Sequence, residues 1–259
     1  MKLFESIFVR KSTRKYQLEK LSDSFLGNFL TYINNIEGIC NSTLNFNLID
    51  NTKAKEVLSG YVGNYGKIEA PHYLVIFGNN NREGLLECGY VGEEAVLYLT
   101  GMEIASCWIG ANFKSDKIKD DFSSKKEVLA LIAFGKATKN PLRKEDQFRR
   151  IPLNDLLIDS SIAKVNQKYH DVLKAIQYSP SAINSQPWRI RAGKEISLYK
   201  SKPSLFKRLV LNNLNYIDMG IAIKHLLVAL DHKGYGYDIS HDGDDCLGNE
   251  HIITIRTKE

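Results

Sequence analysis

Between Ser22 and Ile36 apolar side chains recur at three- and four-residue intervals. Phe25, Leu26, Phe29, Leu30 and Ile33 share one face, which predicts an amphipathic helix with Ser22 as its N-cap. Two β-like runs follow, residues 45–49 (NFNLI) and 72–78 (HYLVIFG); between them Lys53 to Gly63 fits a short helix ahead of the break at Pro71. A longer helical pattern from about Leu85 to Ile104 leads into SCWIGANF and then a strand, VLALIAFG, at 128–135. The stretch 136–150 (KATKNPLRKEDQFRR) is polar, charged and broken by Pro141, and reads as a linker. After it the order restarts, with a helix over 164–178, short strands over 188–191 and 195–199, a long helix over 215–233 and an alternating strand, HIITIRT, over 251–257.

The restart has a counterpart in the residues themselves. At an offset of 131, residues 85–105 (LLECGYVGEEAVLYLTGMEIA) lie over 216–236 (YIDMGIAIKHLLVALDHKGYG) without a gap, so that Glu87 meets Asp218 and Gly89 meets Gly220. The offset is about half of the 259-residue chain. The expectation is two tandem halves, residues 1–145 and 146–259, that place the interface of a homodimer inside one polypeptide.

With 43% hydrophobic and 25% charged residues, the chain is expected to be a soluble folded protein, which excludes disorder and collagen-like folds. Its longest apolar run, Val128 to Phe134, is far shorter than the roughly 18 residues a membrane helix needs. Glu5 and the Arg10-Lys11 pair occupy the region where a secretory leader is apolar. The expected location is the cytoplasm, without a membrane partner. Cys40, Cys88, Cys107 and Cys246 form no CxxC pair and read as reduced thiols rather than a zinc ribbon or a disulfide framework. A net charge of +5 with both signs interspersed gives no indication of nucleic acid.

Four clusters carry candidate chemistry. In RKSTRKY at 10–16, Arg10, Lys11, Arg14 and Lys15 surround Ser12 and Thr13, a set suited to an oxyanion because guanidinium forks make paired charge-assisted bonds to phosphoryl oxygens. On spacing alone a solvated basic surface is the competing reading. In YSPSAINSQPW at 178–188, donors and acceptors crowd a turn stiffened by Pro180 and Pro187, as reading a heteroaromatic ring edge requires; an ordinary turn before a core Trp188 competes with it. In SCWIGANF, Gly110 permits close backbone approach to a ligand. In FRRIPLNDLL at 148–157, Arg149 and Arg150 precede Pro152.

Together these segments resemble the FMN-dependent nitroreductase family. Arg10, Ser12, Arg14 and Tyr16 match its R-x-S-x-R/K-x-F/Y opening, and Pro180, Ser181, Ala182, Asn184, Gln186, Pro187 and Trp188 match its PS-[SA]-x-N-x-QPW motif. Cys107, Trp108, Ile109 and Gly110 resemble its CWIG-like turn, and Arg149, Arg150 and Pro152 its basic pair before a PLEEL-like helix. The chain departs from the family in order. The second motif stands in the second half, INNIEGICNSTLN occupies its usual place, and no RxSxR copy precedes the second half's helix, where IDSSIAKVNQKY stands.

The resemblance implies an α+β, three-layer fold with antiparallel or mixed sheets flanked by helices, its two halves forming a pseudo-dimer, as in a single-chain, internally duplicated branch of the family. Family members are usually homodimers with FMN at the interface, so a fused pair needs one set of motifs. Half one would supply Arg10, Lys11, Ser12, Arg14, Ile109, Gly110 and the Arg149-Arg150 end, and half two Pro180, Ser181, Ala182, Asn184 and Gln186. One FMN per monomeric chain is expected. Arg10, Ser12, Arg149 and Arg150 would hold the phosphate, Arg14 would lie near the pyrimidine end of the flavin, and backbone N–H near Ile109-Gly110 would face it. NADH or NADPH would be the reductant, and a small electron acceptor, a nitroaromatic or a quinone, would take the electrons in a ping-pong cycle. The flavin carries the chemistry, so no catalytic side chain is assigned.

Three other readings stand beside this one. The first is a catalytically drifted flavin- or nucleotide-binding protein of the same fold. A classical dinucleotide fold would use the spaced glycines of SGYVGNYGK at 59–67, but these do not follow a strand and open a helix. A metal site built from His241, Asp242, Asp244, Asp245, Cys246 and His251 matches no established ligand spacing.

Overall fold

The first half of the chain runs α1 (Leu3–Val9), α2 (Asp23–Asn34), β1 (Asn45–Asp50), α3 (Asn51–Val57), β2 (His72–Gly78), α4 (Arg82–Gly101), β3 (Ala105–Ile109), α5 (Ser115–Asp121) and β4 (Glu127–Gly135). The second runs α6 (Leu153–Leu156), α7 (His170–Gln177), β5 (Trp188–Ala192), β6 (Ile196–Lys200), α8 (Leu205–His232), β7 (Tyr237–Ser240) and β8 (Glu250–Thr257). In this computed structural model the chain divides into two units, Met1–Glu145 and Asp146–Glu259. The structure describes residues 1–58, 68–111, 113–144, 149–202 and 205–258, with 205–212 described by backbone alone.

In the first unit Ser22 caps α2 through a 3.2 Å bond from the Phe25 N–H to its hydroxyl, and the helix turns Phe29 and Ile33 inward. α3 starts two residues earlier than its spacing predicts because the Asp50 carboxylate accepts the Lys53 N–H at 3.0 Å and fixes the first turn. The glycines of SGYVGNYGK lie outside the described residues. β1-β2-β4-β3 form an antiparallel sheet whose inner strands, β2 and β4, are buried almost throughout, which is why both read as continuous apolar runs. On one face Tyr73, Val75 and Phe77 of β2 join Leu131 and Ala133 of β4, Ile109 of β3 and Ile118 of α5 in the core.

The second unit repeats this plan. Its four strands pair antiparallel in the order β5-β6-β8-β7, the same order as β1-β2-β4-β3, and in each unit a long helix, α4 or α8, separates the second strand from the third. Both sheets carry one irregularity. The β2–β4 register slips so that Leu129 is passed over, and the β6–β8 register slips so that Ile252 is passed over. Each bulged residue is the third of its strand. The fold is α+β, two antiparallel sheets flanked by helices; every pairing between named strands is antiparallel, so the mixed alternative does not occur among them.

Several boundaries differ from the sequence reading. The helix expected over 164–178 is continuous only from His170, single 3₁₀ turns at Ile162–Lys164 and Gln167–Tyr169 preceding it, and α8 begins ten residues before its expected start. The 136–144 stretch is not a free linker but part of the first unit: Lys136 O accepts the Gln17 N–H (2.8 Å), Lys15 O the Thr138 N–H (3.2 Å) and Val9 O the Arg143 N–H (2.7 Å). The four cysteines are free thiols. Among the described residues no helix is long and apolar enough to cross a membrane.

Candidate functional site

In the first unit, the basic motif is held where α1 ends and β3 begins. Arg10 closes α1, its N–H donating to Ser6 O at 2.9 Å. The chain then runs extended beside β3, with Ser12 bridging Ser106 and the Thr13 N–H donating to Ser106 O at 2.9 Å. This crossing carries Arg10 into the interior, where it is 2% exposed. Its Nε stands 3.5 Å from Oε1 of Glu93, a fully buried residue of α4, and its Nη1 reaches the Ser12 hydroxyl at 3.5 Å. The other Glu93 oxygen accepts the Trp108 indole N–H at 2.8 Å. Thus Trp108, one residue before Ile109-Gly110, is tied to the basic motif through one carboxylate. Ile109 itself is buried and pairs with Leu131, while Gly110 follows it off the end of the strand.

A third guanidinium joins Arg10 and Arg14. Burial and the like charges of Arg10 and Arg14 depress the pKa of half-buried Arg143 to about 10, and the same two arginines oppose the upward push of burial on the Cys107 thiol. Like charges drawn together at a half-buried position are stabilised by an anion among them. Arg10 Nε, Thr13 Oγ1 and Ser106 Oγ are buried without a hydrogen bond among the described residues. Such orphaned donors and three guanidiniums fit a multiply charged oxyanion such as a phosphate. Lys11 donates to Asn140 O at 3.3 Å.

In the second unit, the Pro180–Trp188 turn is a dense hydrogen-bonded knot. Asn184 Oδ1 accepts Arg150 Nη1 at 2.9 Å and its Nδ2 donates to Arg149 O at 3.1 Å; Arg150 Nη2 also donates to Tyr178 O at 3.1 Å. The Ser181 hydroxyl accepts the Gln186 N–H at 2.9 Å, and Gln186 Oε1 accepts the Ile151 N–H at 2.8 Å. From α8 the buried Asp218 carboxylate accepts the Ala182 N–H at 2.9 Å and the Ser185 hydroxyl at 3.3 Å. Ile183, Asn184 and Gln186 all have left-handed backbones (φ 47°, 59° and 47°), a conformation costly for the β-branched Ile183. Pro180 is buried and Ala182 half-buried within the same turn.

The structure therefore groups the sequence-derived residues in two sets. Arg10, Ser12 and Arg14 come together in the first unit, with Ile109 and Gly110 at the end of the adjoining strand. Arg150, Ser181, Ala182, Asn184 and Gln186 come together in the second. The Arg149-Arg150 end, which the sequence reading gave to the first half, belongs to the second unit, because its bonds go to Asn184 and Tyr178. Sequence reasoning missed Arg143, hidden in the supposed linker, and Glu93, which a helix pattern alone does not separate from solvent-facing residues. Asp218 had one signal, its match to Glu87 at the 131 offset. Glu87 does act similarly, its Oε2 accepting the Ile39 and Cys40 N–H groups at 3.1 and 2.7 Å.

Residues 2–230 match a family model described as "Putative TM nitroreductase". No curated protein matches the sequence. Among solved structures, a "putative nitroreductase" from Thermotoga maritima shares the fold at a TM-score of 0.67 and 20% identity, over 99% of this chain and 94% of that one. A nitroreductase family protein from Clostridium difficile aligns at a TM-score of 0.48 and 19% identity, over 62% of this chain and 100% of that one. A nitroreductase with bound FMN from Bacteroides fragilis aligns at 0.45 and 19%, over 57% and 95%.

Proposed function

Because the chain belongs to the family described as "Putative TM nitroreductase", we propose that it is an FMN-dependent oxidoreductase that passes electrons from NADH or NADPH to a nitroaromatic, quinone or similar acceptor by a ping-pong mechanism. The observation that carries this reading is the first-unit grouping of Arg10, Arg14 and Arg143, with the Arg10 Nε and the Thr13 and Ser106 hydroxyls buried without a hydrogen bond among the described residues. When bound, FMN supplies the two-electron chemistry. Arg10, Arg143 and the Ser12 hydroxyl would hold the phosphate, and Arg14 would lie toward the pyrimidine end of the flavin. Gly110, without a side chain, lets the backbone N–H groups of its segment approach the ring. Ala182 and Asn184 of the Pro180–Trp188 turn would contact the flavin, Ser181 and Gln186 keep the turn in shape and Arg150 fastens Asn184. The equal strand order of the two sheets supports an internal duplication in which one set of motifs serves the monomeric chain.

The test is the visible spectrum of the purified protein, with the released cofactor identified and its ratio to chain measured. One FMN per chain, reduced anaerobically by NADH or NADPH and reoxidised by a quinone, is the expected result. Absence of flavin after soaking with FMN refutes the reading. Flavin that ignores both nicotinamides would make the chain a flavin-binding protein, and a ratio near two would refute the single set of motifs.

A further inference from the structure

We propose that Glu93 is the positioning residue of the anion site: its carboxylate fixes the Arg10 guanidinium and ties the Trp108–Gly110 segment to it. This inference rests on the FMN reading above and adds to it a residue outside every motif. A fully buried carboxylate persists only where partners compensate its lost hydration. The partners of Glu93 include two of different kinds. The Trp108 indole gives one oxygen a hydrogen bond at 2.8 Å, whereas Arg10 Nε lies 3.5 Å from the other and makes no hydrogen bond among the described residues. What Glu93 supplies to Arg10 is therefore attraction rather than a saturated fork, which leaves the guanidinium anchored in place with donors still to be used by a ligand.

Two neighbouring features agree with this assignment. Gly92 lets the indole lie against α4, since a Cβ at that position would stand 2.3 Å from Cη2 of Trp108. Any side chain there would push the indole away from the carboxylate. At the 131 offset the residue of α8 equivalent to Glu93 is Lys224, which is also buried. The unit that holds the RxSxR motif thus has a buried glutamate at this helix position, and the unit that lacks the motif has a buried lysine.

The experiment measures dissociation constants of FMN and riboflavin for the full chain and its Glu93→Gln variant. Glutamine keeps an acceptor for Trp108 but removes the charge that anchors Arg10. FMN affinity is expected to fall about tenfold or more, the worth of one charge-assisted hydrogen bond, with riboflavin affinity changed less than about twofold on the same scale. On an Arg10→Gln background the Glu93→Gln effect should vanish, because Glu93 acts through Arg10. Unchanged or tighter FMN binding in Glu93→Gln, an equal loss for riboflavin, or a loss that persists without Arg10 would overturn the proposal. If Glu93→Gln does not fold, Trp108→Phe serves instead: it removes the indole donor, and a two- to threefold loss of FMN affinity is expected, about a third of the full effect in free energy, while wild-type affinity would overturn the proposal. A wild-type chain that binds neither flavin refutes the FMN reading itself, and this inference with it; a wild type that binds FMN and a Glu93→Gln variant that binds it equally well refutes this inference alone.

Discussion

Asp218 offers the most direct test of how the Pro180–Trp188 turn is held. It is buried at 3% exposure on α8 and accepts the Ala182 N–H and the Ser185 hydroxyl, yet burial outweighs both bonds and lifts its pKa from 3.8 to about 7. The folded state therefore binds a proton more tightly than the unfolded chain, and stability falls as pH rises from about 4 to about 7. At about 1.4 kcal/mol per pKa unit, a rise of about three units amounts to roughly 4 kcal/mol lost across that window. Asp218→Asn removes the titration while keeping an acceptor for Ala182 N–H. Urea unfolding followed by Trp188 emission in a Trp108→Phe background reads the second unit. Relative to Asp218→Asn, the parent should be destabilised increasingly between pH 4 and pH 7, by up to about 4 kcal/mol, and by a constant amount above it. Profiles parallel within about 0.5 kcal/mol would show that the carboxylate is ionised throughout and that burial does not dominate it.

Three further outcomes are expected. Arg143→Ala should weaken FMN at least about tenfold, the loss of one charge-assisted contact, and leave riboflavin unaffected in the same titration; equal loss of both would move Arg143 off the phosphate. His72 is held below its usual pKa by burial first and Lys20 second, and its Nε2 accepts the Leu21 N–H at 2.9 Å. A depressed pKa makes the unfolded chain the better proton binder, so stability present above about pH 6.5 is lost as pH falls; urea titrations read by Trp108 should show this loss in the parent and not in His72→Gln. Ile183→Asn, at φ 47° and ψ 23°, should raise the urea midpoint by the equivalent of about 1 kcal/mol, since asparagine tolerates the left-handed conformation; a lower midpoint would mean that Ile183 is not strained.

Periodicity exposed those elements whose burial is written along their own length. α2 and α4 show a helical repeat, and β2, β4 and β8 are apolar runs of the right length. β3 is only five residues long and looks like the tail of the helix before it; its identity as a strand depends on pairing with β4 more than twenty residues later. β7 leaves Asp238 and Ile239 exposed and has no apolar face to detect. In the site, Arg10, Ser12 and Arg14 are legible because they are adjacent. Glu93 becomes notable only when α1 delivers Arg10 to it across more than eighty residues, and Arg150, legible as one of a basic pair, shows its partner only when the turn at Asn184 folds back upon it. Arg143 looked like one more charge in a polar stretch until its backbone bond to Val9 placed it beside two other guanidiniums.

The paired bulges give the chain an internal ruler. Ile252 lies 123 residues after Leu129, whereas the long helices align at 131. Between the long helix and the last strand the second unit is thus eight residues shorter, close to the length of α5 (seven residues), which has no counterpart there. A bulge shifts every later side chain of its strand to the opposite face, so an irregularity that drifted along its strand would exchange the side chains packed on the two faces over the distance moved. The two units share few side chains at the 131 offset, yet the same one-residue irregularity stands at the third residue of the corresponding strand in both sheets, so the backbone likeness of the units is plainer than the likeness of the residues that fill them.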